Sequence, residues 1–261
     1  AENRLGYFAL LRNIRNISEQ APKLINEVCK QLTNQKKIRK SLVLPFRLLT
    51  AYKQLDLKTQ TGRQLAKALS KAIDISCANV PNLKNTLVVV DNSGSMACSV
   101  AGSKHLQCNE TGALFAMMLA KRSNADVMEF GTTARYIPYR LNESVLEFAQ
   151  HFARNNQVGH GTNFHAIFDT IKGRYERIVI FSDMQGWIGH YSPKAGLINY
   201  KFRYKIDPYV YSFDLAGHGT MQFPQSKVCT LAGFSEKVFD VMQAAETDKR
   251  ALLKQVEAVE F

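Results

Sequence analysis

Residues 86–96 read TLVVVDNSGSM. Leu87 to Val90 are apolar without a break, so the stretch lacks the alternation of a strand with one wet face. It predicts a central strand of a parallel sheet, buried on both sides, and such a sheet needs helices on each face. The run stops at Asp91, and Ser93 and Ser95 follow in steps of two. A carboxylate and two hydroxyls are thereby gathered at the carboxyl end of a buried strand, where open α/β sheets take their ligands. Gly94 is expected to permit the tight path of the chain between them.

The signature recurs downstream. RIVIFSD at residues 177–183 is a second apolar strand ending in an acid, and PYVYSFDL at 208–215 is a third strand. ADVMEFG and ARYIPYR predict two strands joined as a hairpin through Gly131, Thr132 and Thr133. ETGALFAMMLAKRS reads as an apolar helix, NESVLEFAQHFARN as a helix capped by Asn142, and TNFHAIFDTIKG as one ended by Gly173. SEKVFDVMQAA and DKRALLKQVEAV close the chain as helices. Strands alternating with helices place residues 86–261 in the α/β class, a Rossmann-like, mostly parallel sheet.

Residues 1–85 predict helices only. LGYFALLRNIRNI sets Leu5, Phe8, Leu11 and Ile14 three apart. Ser18 is the expected cap of a second helix running through APKLINEVCKQL, with Leu24, Val28 and Leu32 four apart. Pro45 begins a further helix at its first turn. TGRQLAKALSKAIDISCANV follows, with Leu65, Leu69 and Ile73 four apart, and the pattern changes near Pro81. The segment is similar to the last units of a helical repeat, though no clean period is visible. It also holds most of the charge: sixteen Lys and Arg against five Asp and Glu, whereas residues 86–261 hold eighteen against seventeen. A basic helical segment joined to a near-neutral domain points to a polyanion such as nucleic acid. The densest run is KKIRK, with Lys36, Lys37, Arg39 and Lys40 fanning around a helix start.

Asp91, Ser93 and Ser95, with Thr162 from the loop VGHGTN and Asp183 from the second strand end, make an all-oxygen set. That chemistry suits a hard divalent cation, Mg²⁺ first, with Mn²⁺ or Ca²⁺ as alternatives. At least one coordination position is left for water or for a partner's acid.

This pattern resembles the metal-ion-dependent adhesion site of von Willebrand factor A domains. The resemblance implies that Asp91, Ser93 and Ser95 bind the metal directly or through water. It implies further that Thr162 is the switchable ligand and that Asp183 stands one layer behind. The two helical motifs LGYFALLRNIRNI and VLPFRLLTAYKQL, followed by the A-type domain, are similar to the Ro-type autoantigen, or TROVE, family. There a ring of HEAT-like helical repeats is closed by an A domain. The resemblance implies a ribonucleoprotein component that binds single-stranded ends of misfolded RNAs and small structured RNAs and acts in RNA quality control. A full ring needs several hundred helical residues and this chain has about 85, so the chain is expected to be either the C-terminal part of a longer protein or a reduced relative with a different task.

The remaining motifs admit other readings. Cys98, His105 and Cys108 could hold zinc, or the two cysteines could form a disulfide; a loop with free thiols is the plainer alternative. GHGT occurs at residues 159–162 and again at 217–220, the second read as a coincidence of loop composition on the site's rim. His160 and His165 are five apart, which is not the spacing of helix-borne metal ligands, and Trp187 is expected near the site. No Walker A string, dinucleotide fingerprint or G-x-S-x-G elbow appears, so an enzyme is not expected. Five scattered cysteines, no signal-peptide pattern and no run of about 18 apolar residues predict a cytoplasmic protein with no membrane contact. The functional expectation is RNA binding with a metal site for an acidic protein ligand. The alternative is a structural subunit of a larger assembly that docks through the metal without RNA.

Overall fold

The computed structural model describes residues 5–186, 192–223, 226–232 and 238–247. The chain begins with six helices: α1 (Tyr7–Arg12), α2 (Ile14–Gln20), α3 (Ile25–Leu32), α4 (Gln35–Ser41), α5 (Pro45–Lys53) and α6 (Gln60–Ser76). Then follow β1 (Thr86–Asp91), α7 (Cys108–Ser123), β2 (Asp126–Phe130), β3 (Ala134–Tyr136), α8 (Val145–Arg154) and α9 (Phe164–Thr170). The chain continues through β4 (Arg177–Ser182), α10 (Pro193–Tyr204), β5 (Tyr209–Asp214), β6 (Val228–Ala232) and α11 (Val238–Thr247). The strands form one sheet in the order β3-β2-β1-β4-β5-β6. All neighbours run parallel except the β2–β3 hairpin.

The apolar run in β1 is buried at every residue because both faces of the sheet are covered. Val88 and Val90, with Phe181 and Phe213, face α7, α8 and the N-terminal helices. Leu87 and Val89, with Ile178 and Ile180, face α9 and α10. Alternate residues thus serve opposite layers, as the period of a strand dictates. Gly196 lets α10 lie against α9, since a Cβ there would come within 2.9 Å of the Phe168 ring.

Helix α7 is buried all round from Cys108 to Ala120. A helix covered only by the sheet would keep a polar stripe; GALFAMMLA has none because α5 and α8 pack on its other sides. The basic helices and the sheet therefore share one hydrophobic cluster. Phe46 of α5 stacks on Phe115 of α7 at 5.9 Å, Phe115 meets Phe181 of β4 at 5.8 Å, and Phe181 stacks on Phe213 of β5 at 4.8 Å. Lys53 of α5 also reaches across to the buried Glu110 of α7, with Nζ 2.5 Å from Oε2.

Several local expectations are corrected. Ser18 lies inside α2 and caps nothing; the first apolar segment breaks at Asn13, and Ile25 begins the next α-helix after a 3₁₀ turn at Pro22–Leu24. Leu5, Phe8 and Leu24 are exposed, whereas the expected Leu11, Ile14, Val28 and Leu32 are buried, joined by Leu10 and Ile25. Helix α8 is capped by Ser144, whose hydroxyl accepts from Glu147 N–H, not by Asn142. Helix α9 ends at Thr170, before Gly173. The strand β6 was not expected: VCTLA is short, half-buried and without clear alternation. Pro45 does open α5. The last expected helix, DKRALLKQVEAV, lies outside the described residues. Among the described residues no helix is long and apolar enough to cross a membrane.

Candidate functional site

Strands β1, β4 and β5 end side by side, and each ends at or beside an acid. Ser182 pairs with Asp214 across β4 and β5, and Val90 pairs with Phe181 across β1 and β4. Asp91, Asp183 and Asp214 are all buried here. Asp91 Oδ1 accepts the Ser93 N–H at 2.8 Å, and Asp91 Oδ2 accepts the Ser182 hydroxyl at 2.6 Å. Ser93 and Ser95 place their hydroxyl oxygens 3.2 Å apart, so the step of two does bring both to one side.

Thr162 is buried and lies two residues beyond His160, whose carbonyl meets the turn that carries Ser95. Gly94 N–H donates to the His160 carbonyl at 2.9 Å, joining the loop before Thr162 to the 3₁₀ turn Gly94–Ala97. The same loop is fastened to the β2–β3 turn: Thr133 N–H donates to Val158 O, Asn163 N–H to Gly131 O, and Gly161 N–H to Thr132 Oγ1. Asn156 adds a fourth tie, its amide donating to Asn92 O at 2.7 Å while its oxygen accepts from Val158 and Gly159. Gly159 sits in the left-handed region at φ +80°, and a Cβ there would come 2.7 Å from Thr132 Oγ1. Gly94 is different from the expectation. It is not left-handed, and a Cβ would make an ordinary 3.6 Å contact with His160. The glycines that the site's backbone requires are Gly159 and Gly131, where a Cβ would run into the Gly159 carbonyl oxygen.

Burial pushes the Asp91 carboxyl up to about 7, and the charge of Asp183 adds to the rise against the hydrogen bonds from Ser182 and Ser93. Among the described residues no Lys, Arg or His forms an ion pair with Asp91 or Asp183. Two buried acids side by side without a cation are costly. Two carboxylates and three hydroxyls are also the oxygen donors a hard divalent cation takes. The donor set fits such an ion. Among the described residues no cluster of three His, Cys, Asp or Glu forms, so a cation here would depend on the hydroxyls as well as on the two carboxylates.

Three residues that the sequence reading passed over support this set. Ser182 donates to Asp91 and accepts the Met184 N–H at 2.9 Å, and Met184 takes a left-handed conformation at φ +60° just after Asp183. Asn92 donates to the buried Glu129, which also pairs with Arg135. Asp214 is not a free ligand: its two oxygens accept Gly217 and Gly219 N–H at 2.8 and 2.7 Å. Those glycines are both left-handed, so the second GHGT string wraps the end of β5. The strand-end acid was the available signal for Asp214; nothing in the local sequence singles out Ser182.

The zinc alternative is not assembled. His105 is exposed, whereas Cys108 is buried against Cys98. Both cysteines are free thiols, with no disulfide between them. His160 serves through its carbonyl, and His165 lies in α9 with its N–H donating to Asn163. Trp187 lies outside the described residues.

The basic run KKIRK forms α4. Asn34 caps it, accepting the Lys37 N–H at 3.0 Å, and Ile38 is fully buried. Lys36, Arg39 and Lys40 are exposed around the inward Ile38, and the half-buried Lys37 reaches Gln31. A second basic surface lies between α1 and α5, a groove lined by Phe8, Leu11, Arg12, Arg47, Thr50 and Gln54.

Comparison with known proteins places both parts of the chain. The family model of the Ro60 vWA domain matches residues 85–245, and that of the TROVE domain matches residues 1–125. The crystal structure of the Deinococcus radiodurans RO (RSR) protein has a similar fold, with a TM-score of 0.74 at 20% sequence identity. The likeness covers 92% of this chain and 52% of that one, so this chain spans about half the length of that relative. No curated protein matches.

Proposed function

Since the chain belongs to the Ro-type TROVE family with its vWA domain, we propose that it is an RNA-binding Ro-like protein of RNA quality control, with a divalent-cation site for a partner. The observation that carries the RNA reading is α4. Its Lys36, Arg39 and Lys40 project from a helix anchored by Ile38, on a segment with eleven more basic than acidic side chains. Cations spread around one helix contact phosphates from several directions and carry little base information. Single-stranded or small structured RNA is the class of partner that such a surface fits.

The metal reading rests on the buried, cation-free pair Asp91 and Asp183 beside Ser93, Ser95 and Thr162. These residues would hold Mg²⁺, or Mn²⁺ or Ca²⁺ in its place. Bound there, the cation supplies an electrophilic position for an acidic or phosphate-bearing ligand. The chain's own part is to hold the oxygens in place, through Ser182 for Asp91 and through the loop tied to the β2–β3 turn for Thr162.

The test is a filter-binding series with single-stranded RNA over a range of salt. Wild type should show log affinity falling with log salt by about 0.7 per phosphate contact. Replacing Lys36, Lys37, Arg39 and Lys40 with Gln should weaken all sequences alike and flatten the slope by up to about 3. An unchanged slope and affinity in the quadruple variant would remove α4 from the interface. Absence of RNA binding in the wild type would favour a docking subunit that works through its metal alone.

A further inference from the structure

Cys98 and Cys108 stand at the two ends of the loop that joins the metal motif to α7. Their sulfurs are 3.4 Å apart. The backbone already clamps them: Cys108 N–H donates to the Cys98 carbonyl at 2.9 Å, and Ser99 pairs antiparallel with Gln107 just inside. A disulfide has its sulfurs about 2.05 Å apart, so little more than an ångström of closure separates this pair from a bond. Cys29 and Cys77 are engaged differently, their thiols donating to the carbonyls of Gln64 and Ile73.

We propose that Cys98 and Cys108 form a thiol–disulfide exchange site for small disulfides of the glutathione type, and that its closure loosens the metal loop through Ser95. Cys98 is the entry thiol because it is half-buried, while Cys108 is sealed from solvent. The Cys98 thiolate attacks the small disulfide, forms a mixed disulfide and releases one small thiol. Cys108 then attacks the Cys98 sulfur, its proton passes to the departing small thiolate, and the second small thiol leaves. Two protein thiols and one small disulfide thus become one protein disulfide and two small thiols. Burial holds the Cys108 thiol well above its usual range, with the Cys98 thiol and the charges of Asp183 and Asp214 adding to this, so the second step is the slow one.

The coupling follows from what can move. Cys108 is the first residue of α7, which is buried all round. Cys98 ends the 3₁₀ turn that carries Ser95, and its N–H donates to the Ser95 carbonyl at 3.0 Å. Closure therefore draws the turn, not the helix, and displaces Ser95 from Ser93. This half of the proposal rests on the metal reading above.

The whole chain is equilibrated with glutathione at several ratios of disulfide to thiol, quenched in acid, alkylated and peptide-mapped. A 98–108 linked peptide should appear and should revert in excess thiol. Cys108→Ser should trap glutathione on Cys98, and Cys98→Ser should leave Cys108 unmodified. A wild type that keeps glutathione on Cys98 without the linked peptide, or that leaves both thiols untouched, overturns the exchange site. Calorimetric titration with Mn²⁺ then compares the two redox forms. The oxidised form should bind about tenfold more weakly, the lower end of what losing a supporting contact costs a metal site. Equal affinity overturns the coupling while the linked peptide stands. No Mn²⁺ binding in either form would overturn the metal reading itself, with the exchange site still decided by the peptide map.

Discussion

Ser182 donates its hydroxyl to Asp91 Oδ2 at 2.6 Å, across the join between the two central strands. That bond fixes the carboxylate of one strand by the penultimate residue of the "VIFSD" ending on the next. It leaves Asp91 accepting from Ser93 and from Ser182, and these donors would lose their acceptor if the side chain were removed.

Asp91→Asn is therefore expected to keep the fold and to lose the metal. Differential scanning calorimetry should show wild type stabilised by Mg²⁺, by about 2.7 kcal/mol at a hundredfold excess over Kd, and returned to baseline by chelator. The variant should be indifferent to both. Asp91→Ala should in addition lower stability by about 1–3 kcal/mol, since two buried donors lose their acceptor. Stabilisation of Asp91→Asn equal to wild type would sink the site assignment.

Gly159 and Gly94 should respond in opposite ways to alanine. Gly159→Ala puts a Cβ in the left-handed region and 2.7 Å from Thr132 Oγ1; a cost of about 1–3 kcal/mol is expected. Gly94→Ala, with ordinary φ and a 3.6 Å contact, should stay within about 0.5 kcal/mol. Urea unfolding midpoints of the two variants decide this, and equal midpoints would count against the account of the loop.

Thr162→Ala should weaken an acidic partner more than it weakens Mn²⁺. The residue lies on a loop anchored to the β2–β3 turn, separate from the loop of Ser93 and Ser95, so it can couple coordination to loop position. Calorimetry with Mn²⁺ and with an acidic peptide gives the two affinities. A strictly proportional fall in both would remove the switching role.

Lys53→Met should destabilise the protein by about 3 kcal/mol, because Glu110 is buried and would lose its counter-charge. Glu110 already carries one oxygen, Oε1, without a hydrogen-bond partner. Adding Glu110→Gln to Lys53→Met should recover part of the loss, the sign of a coupled pair. Additive losses in the double-mutant cycle would show that the two residues do not act together.

How much of this was legible depended on range. β1 could be read because its burial is total, and a strand buried on both faces has no alternation to confuse the reader. The approach of Ser93 to Ser95 beside Asp91 could be read from their spacing of two, and the buried acid at the end of β4 from its repeat of the strand-end pattern. Ser182 could not, because its role depends on which strands are neighbours, and that is decided by the order of the whole sheet. Ser18 and Asn142 were credited with caps that belong to no residue or to Ser144, since several polar residues compete within one turn and local sequence does not rank them. Gly94 drew attention by sitting inside the motif, while the strained position, Gly159, lay in the loop that braces it.

The aromatic stack from Phe46 through Phe115 and Phe181 to Phe213 has a bearing on how the protein could be dissected. A cut between residues 80 and 86 looks natural on the page, but it would strip α5 and α6 from α7 and α8 and leave Phe115 without its outer neighbour. The sheet half, released alone, would present an oily wall to water, with α7 lacking any polar side to turn outward. Such a fragment would be sticky. It would cling to membranes, filters and nucleic acid for reasons unrelated to its biology. The six basic helices are in this sense the sheet's permanent escort, and each property of the strand-end site is best measured with that escort in place.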